Sequence, residues 1–209
     1  MLIAVDGPAA AGKGTLTHKL ADHFNLARLD TGLIYRAVGM KAQELGDPAD
    51  PEIAVKAAQS LSFVDLDQGG LRNEAVGNAA SKVAAIPAVR AILLSFQRDF
   101  ATTPPGGKTG AVLDGRDIGT IVCPNASYKL FITASPEVRA ERRFKELQDG
   151  SEEVIRSAIL RDIMDRDERD RLRSVAPLKP AKDALVLDTS DLDPDAVFNV
   201  ALNFICSQR

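Results

Sequence analysis

Apolar and polar positions follow two rhythms along this chain. Short apolar runs, Leu2 to Val5, Ala111 to Leu113, Tyr128 to Thr133 and Ala184 to Leu187, have the length of buried strands. Between them apolar residues recur at helical spacing, which predicts helices at about 13 to 24, 33 to 45, 76 to 100, 136 to 148, 152 to 171 and 194 to 206. Strands that alternate with helices in this way predict an α/β chain on a parallel sheet, because crossover helices cover both sheet faces and leave the strands almost wholly apolar. No internal repeat or low-complexity segment interrupts the pattern.

Three stretches depart from the rhythm. From Gly46 to Gly77 the chain turns to Asp, Pro, Gln and Gly, which predicts an insert standing off the sheet, a place suited to a second substrate. Thr102 to Gly110 is a loop leading back into the sheet. Gln148-Asp149-Gly150-Ser151 joins two arginine-rich helices and is a candidate hinge for a lid.

Bulk properties narrow the classes. A chain of 209 residues fits one α/β domain with a small insert. A net charge of −3 and an isoelectric point near 5.5 speak against a nucleic-acid coat, so an anionic ligand has to meet local clusters of Lys and Arg. No apolar run approaches the roughly 20 residues needed to span a bilayer, and no charged leader precedes a cleavage site. The expectation is a cytoplasmic protein without membrane or nucleic-acid partners. Cys123 and Cys206 stand alone, and His18 and His23 are spaced as helix-surface residues, so neither a disulfide framework nor a zinc site is expected.

The chemistry begins at Gly7-Pro8-Ala9-Ala10-Ala11-Gly12-Lys13-Gly14-Thr15, between the first strand and the first helix. Glycines there allow a tight turn whose N–H groups converge on a phosphate at a helix N-terminus, and Lys13 adds a mobile full charge. Gly14 stands where the general pattern has Ser or Thr, and Thr15 follows; the ending is similar to that of nucleoside monophosphate kinases.

A kinase also has to hold an acceptor in line with the γ-phosphoryl group. Thr31, Tyr35 and Arg36 can present a hydroxyl, a ring and a guanidinium to one pocket; alternatively Thr31 is a helix cap and Arg36 a surface charge. Asp114-Gly115-Arg116-Asp117 ends a strand at the carboxyl edge of the sheet, where ligands bind. Asp114 there resembles an acid that orients magnesium, and Arg116 and Asp117 can reach an acceptor, the bland alternative being a turn with an internal ion pair. Arg166, Arg169, Asp170 and Arg173 share one helix stripe, able to aim three arginines at one anion, although i,i+4 pairing on a solvated face explains part of the pattern. Arg139, Arg142 and Arg143 form a similar cluster on the preceding helix.

Taken together the motifs resemble the bacterial cytidylate kinases. The likeness rests on Gly7-Pro8 through Thr15, Asp30-Thr31-Gly32 with Tyr35-Arg36, Asn78 to Ala84, Asp114 to Gly119, and Arg166 to Arg171 leading into Val175-Ala176-Pro177-Leu178. It implies a three-layer fold of the P-loop NTPase type, with a central five-stranded parallel sheet in a single domain over 1–209. An acceptor-binding insert at about 46–100 and a short lid at about 143–160 go with it. It implies phosphoryl transfer from ATP, with Mg²⁺, to CMP or dCMP by a monomer.

The roles are carried over position by position. Gly7 to Thr15, with Arg139, Arg142 and Arg143 as lid candidates, would hold ATP, and Thr15 with Asp114 the metal. Thr31, Tyr35, Arg36, Ser81, Arg90, Arg116, Asp117, Arg166, Asp170 and Arg173 would form the CMP site. Ser81 and Asp117 match base-reading positions, and Arg90 and Arg116 positions that hold the acceptor phosphate. Lys13, Arg116, Arg166 and Arg173 would serve catalysis. The stretch Phe63 to Val76 is abbreviated against many relatives, so a smaller insert is expected. Still open are another small-molecule kinase on this fold, for adenylate, shikimate or dephospho-coenzyme A, and a nucleotide switch that phosphorylates nothing.

Overall fold

Five parallel strands form one sheet in the order β2-β3-β1-β4-β5 in a computed structural model that describes residues 1–149 and 156–208. The strands are β1 (Leu2–Asp6), β2 (Ala27–Asp30), β3 (Ala111–Gly115), β4 (Tyr128–Thr133) and β5 (Leu185–Asp188). Around them lie α1 (Lys13–Phe24), α2 (Thr31–Leu45), α3 (Pro51–Gln59), α4 (Glu74–Ala84), α5 (Pro87–Thr102), α6 (Pro136–Asp149), α7 (Arg156–Leu172) and α8 (Pro194–Ser207). Strand periodicity divides the core into two layers. Ile3 and Val5 face α1 and α8, joining Leu16, Leu20, Val197 and Ile205, while Ala4 faces the other way and joins Ile34 and Val38 of α2 and Leu93 of α5. This is the expected three-layer α/β architecture. Among the described residues no single helix is long and apolar enough to cross a membrane.

Three elements differ from the pattern read along the chain. The helix expected over 76 to 100 is two helices, α4 and α5, which meet at 97°. Pro87 is the cause: a proline disfavours the helical region for the residue before it, and Ile86 is extended while Pro87 opens α5 at its first position. The supposedly irregular stretch after Gly46 contains α3. Its Asp50-Pro51 start is a helix signal, for the Asp50 carboxylate accepts from Glu52 N at 2.8 Å and Ile53 N at 3.4 Å. The strand β2 (Ala-Arg-Leu-Asp) carries two charges in four residues, too little apolar pattern to announce itself.

The stretch 46–100 divides by packing. Ala54 and Ala57 of α3 and Val89 and Leu93 of α5 belong to the same apolar cluster as Ala4 and Leu113 of the sheet. Leu71 and Val76 instead pack with Ala37 of α2 in a small separate cluster. There α2 and α4 lie backbone to backbone, since a Cβ on Gly39 would stand 2.7 Å from Ala80 N. The helices α6 and α7 share their own cluster of Ala140, Leu147, Ile159 and Ile163. Of the hinge read at 148–151 and the lid read at about 143–160, residues 150–155 lie outside the described residues.

Candidate active site

The loop between β1 and α1 is shaped by what its backbone must avoid. At Gly7, with φ 145°, a Cβ would lie 1.9 Å from the Ile132 carbonyl oxygen of β4, so only glycine lets the chain leave the sheet there. Ala10 (φ 58°) and Gly12 (φ 92°) then take left-handed conformations, and α1 starts at Lys13 with no side-chain cap at Gly12. The first N–H groups of α1 have no partner within the helix, and Gly12 to Thr15 line a cavity of about 750 Å³. An anion fits such a helix end. Lys13 is 6% exposed; its Nζ donates to the Pro8 carbonyl at 2.9 Å and lies 3.7 Å from Asp114 Oδ1. Burial, helped by the charge of Arg116, pulls Lys13 down to about 8. Burial also pushes the Asp114 carboxyl up, against the pull of Lys13.

The same cavity gathers positive charge from distant parts of the chain. Arg36 of α2, Arg116 after β3, Arg142 and Arg143 of α6 and Arg166 of α7 all line it, as do Arg28 of β2 and Arg72. The last two were missed in the sequence. Arg28 sits in the unannounced strand, and Arg72 in the abbreviated stretch 63–76, where nothing in the local pattern marks it. Leu192, Pro194 and Val197 add an apolar end near α8. Arg36 also donates to the Leu71 and Asn73 carbonyls, at 2.7 and 3.0 Å, tying α2 to the start of α4.

A second group of the expected residues is joined to one another by charge and meets the cavity through Arg116. Arg90 of α5 pairs with Asp117, both almost wholly buried, and its guanidinium lies 5.6 Å from the centre of the Tyr35 ring. Arg116 Nε donates to Asp170 Oδ2 at 3.0 Å. Burial opposes the charge on both, yet Asp170 and Asp114 hold Arg116 above its usual value, and Arg116, Arg173 and Arg166 hold Asp170 below the usual carboxylate range. Arg173 Nε donates to the Asp170 carbonyl at 3.4 Å, while its Nη2 is buried with no hydrogen-bond partner among the described residues. Burial, with Arg90 nearby, lowers Arg173. Ser81 is buried on α4, and the Thr31 hydroxyl donates to the Asp114 carbonyl at 2.7 Å.

Two expectations about arginines change. Arg139, read as a lid donor, is 3% exposed and is not among the described residues lining the cavity. Its guanidinium is taken up by Asp167 (3.1 and 2.5 Å), by the Ala134 carbonyl (2.9 Å) and by the Ala9 carbonyl of the loop (3.4 Å). The stripe read on α7 loses one member, while Arg166 and Arg173 stay within reach of Asp170. Arg169 is exposed and turns to Asn78 Oδ1 at 3.3 Å, and α7 ends at Leu172, so Arg173 comes from the turn that follows. Arg142 stays at the cavity but is steered by Thr189, donating to its hydroxyl at 3.0 Å and its carbonyl at 2.6 Å. Among the described residues no group of three or more Cys, His, Asp and Glu is spaced to hold a metal unaided.

Comparison with known proteins narrows the choice among phosphate-handling sites. A family model described as cytidylate kinase matches residues 3–207. A cytidylate kinase of Paramagnetospirillum magneticum is 62% identical over 209 residues, covering 100% of this chain and 99% of its own. One from Methylocella silvestris is 55% identical over 203 residues, covering 97% and 92%, and one from Rhodospirillum rubrum 53% over 206, covering 98% and 97%. A solved structure of an uncharacterised protein from Eubacterium ventriosum has the same fold, with a TM-score of 0.56 at 14% identity over 99% of each chain.

Proposed function

The chain belongs to the cytidylate kinase family, and on that premise we propose that it transfers the γ-phosphoryl group of ATP to CMP or dCMP, giving ADP and CDP or dCDP. The loop Gly7 to Thr15 holds the donor phosphates, and Lys13 follows the γ-phosphoryl group as charge moves onto the bridging oxygen. Arg142 and Arg143 of α6 neutralise the donor from the opposite side. Arg116, Arg166 and Arg173 hold the acceptor phosphate in line, with Arg36 at the edge of the same cavity. No general base is required, because the attacking phosphate oxygen is already ionised and the catalytic work is positioning and charge neutralisation.

The donor set beside Lys13 fits Mg²⁺. Thr15 and Asp114 supply a hydroxyl and one carboxylate to the cavity; so few hard oxygen ligands suit an ion that keeps several waters and takes its other ligands from phosphates. When bound, Mg²⁺ would neutralise charge on the donor oxygens. Base choice falls to Asp117, Ser81 and the nearby guanidinium groups of Arg90 and Arg173. Cytosine offers an N4 amine beside N3 and O2 acceptors, whereas uracil presents a carbonyl to the carboxylate in place of the amine. The cavity closes within one chain, and a cytoplasmic monomer without membrane or nucleic-acid partners is the working form we propose.

One observation supports the acceptor assignment best. Arg173 Nη2 is a buried donor without a partner among the described residues, next to the Arg116–Asp170 pair. A buried polar group of that kind is costly unless something accepts from it, and a phosphate or a pyrimidine carbonyl is suited to do so. A coupled ADP-release assay over CMP, dCMP, UMP, AMP and shikimate, with and without Mg²⁺, tests the reading. CMP and dCMP should give the highest kcat/KM and turnover should need the metal; preference for AMP or shikimate overturns the substrate assignment.

A further inference from the structure

Directly after Asp117 the chain makes a five-residue π-helical turn, Ile118–Val122, before it enters β4. It is held internally by Val122 N to the Asp117 carbonyl at 3.1 Å and Cys123 N to the Ile118 carbonyl at 2.7 Å. One turn of helix barely sustains itself, because the entropy of fixing its backbone outweighs so few hydrogen bonds. Isolated π turns recur at functional sites.

Two charged side chains from elsewhere hold this turn by its ends. At the N-terminal end the buried Asp6, the last residue of β1, accepts from Ile118 N through Oδ1 at 2.7 Å and from Gly119 N through Oδ2 at 2.8 Å. At the C-terminal end Arg98 of α5 donates from Nη2 to the Ile121 carbonyl and from Nε to the Val122 carbonyl, both at 3.0 Å. An acid at the N-terminus and a base at the C-terminus match the dipole of the turn.

The arrangement matters because of what Asp117 is left to do. Asp117 occupies the N-cap position, where an aspartate ordinarily turns its carboxylate back onto the amides of the first turn. Its side chain makes no such bond here. Asp6 already occupies those amides, and the Asp117 carboxylate is turned to Arg90 instead. Arg90 and Arg98 lie on the same helix, so α5 supplies both the partner of Asp117 and the brace at the far end of its turn. Gly119 leaves room for the clamp, since a Cβ there would lie 3.4 Å from Asp6 Oδ2 and 3.2 Å from Lys129 Cδ.

We propose that Asp6 and Arg98 are positioning residues for acceptor recognition: Asp6 caps the turn 118–122 in place of Asp117 and thereby keeps the Asp117 carboxylate directed at Arg90 and the acceptor base. The inference rests on the reading that Asp117 contacts the acceptor. Asp6 closes the strand that leads into the donor loop, so one carboxylate links the two halves of the site from outside the residues that line the cavity.

The test is steady-state kinetics of Asp6→Asn, Arg98→Gln and Asp117→Asn, varying CMP, UMP and ATP separately, with the melting temperature of each protein. Asp6→Asn should raise KM for CMP by about tenfold and narrow the CMP-over-UMP preference, with KM for ATP changed less than about twofold. Arg98→Gln should act in the same direction by about threefold. The double variant Asp6→Asn/Asp117→Asn should bind CMP no worse than Asp117→Asn alone, since both remove the same interaction. If Asp117→Asn weakens CMP while Asp6→Asn and Arg98→Gln only lower the melting temperature, or weaken ATP and CMP alike, the positioning role is overturned. If Asp117→Asn itself leaves KM for CMP untouched, the reading of Asp117 fails first, and this inference falls with it. Should Asp6→Asn not fold, Arg98→Gln decides, because Arg98 is an exposed side chain whose removal leaves no buried gap.

Discussion

Residues 7–15 make the proposed donor side of the cavity from one unbroken stretch, and most of what they offer is backbone. The proposed acceptor side draws Tyr35 from α2, Arg90 from α5, Asp117 and Arg116 from the end of β3 and Asp170 from α7, and joins them through side-chain charges 27 and 54 residues apart. Backbone N–H groups at a helix start persist whatever side chains surround them, so the donor side depends on a few glycines and one lysine. Each ion pair on the acceptor side, by contrast, exists only while both partners are present. Failure on the donor side should therefore appear as lost turnover with binding of the acceptor intact. Failure on the acceptor side should appear as lost affinity and lost stability together.

The largest expected effect tests the donor half. Lys13→Ala should lower kcat on the order of 10³-fold with every acceptor, while KM for CMP changes little. The loss of stability should stay below that expected at Asp170, because a lysine brought down to about 8 by burial is held at a cost to stability in its charged form, which offsets part of what Asp114 loses with its partner at 3.7 Å. Turnover under saturation by both substrates, set beside the melting temperature, checks this. A loss confined to CMP, or a collapse in stability, breaks the division between the two sides.

The next effect tests the acceptor half. Asp170→Ala leaves Arg116 without its acid and removes the charge facing Arg173 and Arg166. Breaking one partner of a buried pair costs about 3 kcal/mol or more, so chemical denaturation should show a loss of that order, together with a raised KM for CMP. The pH dependence has a definite sign. Burial alone would raise Asp170, but the three arginines depress it below its unfolded value, so its stabilisation is full above that value and is lost as pH falls through the folded one. The variant should lack this part of the acid destabilisation; an unchanged acid limb would show the pair to be neutral in stability.

The same contrast governs what could be read along the chain. The strand and helix rhythm carried the architecture because β1 and β3 are apolar on both faces and β4 sets Leu130 and Ile132 on one, so their runs stand out against helical spacing. It failed at β2, where Arg28 and Asp30 leave only two apolar positions, and at α3, where Asp50-Pro51 belongs to the vocabulary of turns as well as of helix starts. The donor loop is legible because all its parts are adjacent in sequence. Arg90 and Ser81 carry no local mark and entered only through likeness to a family, since their meaning lies in partners on other elements. Arg72 and Thr189, which line the cavity, escaped notice for the same reason, and an arginine that fills a buried ion pair, as Arg139 does with Asp167, looks in sequence the same as one facing a ligand.

A smaller effect separates the halves by pH. Free Lys13 loses its proton near pH 8, whereas Arg116 is held charged by Asp170 and Asp114. The kcat/KM for ATP, which reports the free enzyme, should fall about tenfold per pH unit once Lys13 titrates, while equilibrium binding of CMP alone stays level over the same range. Stability should move oppositely: between about 8 and the unfolded value of 10.5 the unfolded chain binds the extra proton, so unfolding becomes harder as pH rises. CMP binding that declines in step with ATP kinetics would place Lys13 on both sides of the cavity.

The smallest predicted effect is the sharpest probe, because it asks whether the donor side is as self-contained as its sequence looks. Thr189, 2% exposed at the end of β5, brings its hydroxyl to 3.1 Å from the Ala11 carbonyl of the loop and 3.0 Å from the Thr133 carbonyl, and accepts from Arg142. Thr189→Val keeps the volume and the strand preference but removes that junction. Leaving one buried carbonyl short of a donor costs about 1 to 2 kcal/mol, and Arg142 retains only the Thr189 carbonyl to fix its direction. KM for ATP should rise about three- to fivefold with KM for CMP unchanged, because nothing on the acceptor side touches Thr189 among the described contacts. If ATP kinetics do not move, the loop 7–15 is held by its own backbone alone and the contrast stands in its strongest form. If they move as expected, the donor side also leans on a residue 178 positions away from Ala11, and the two halves differ in how many distant supports they need rather than in whether they need them.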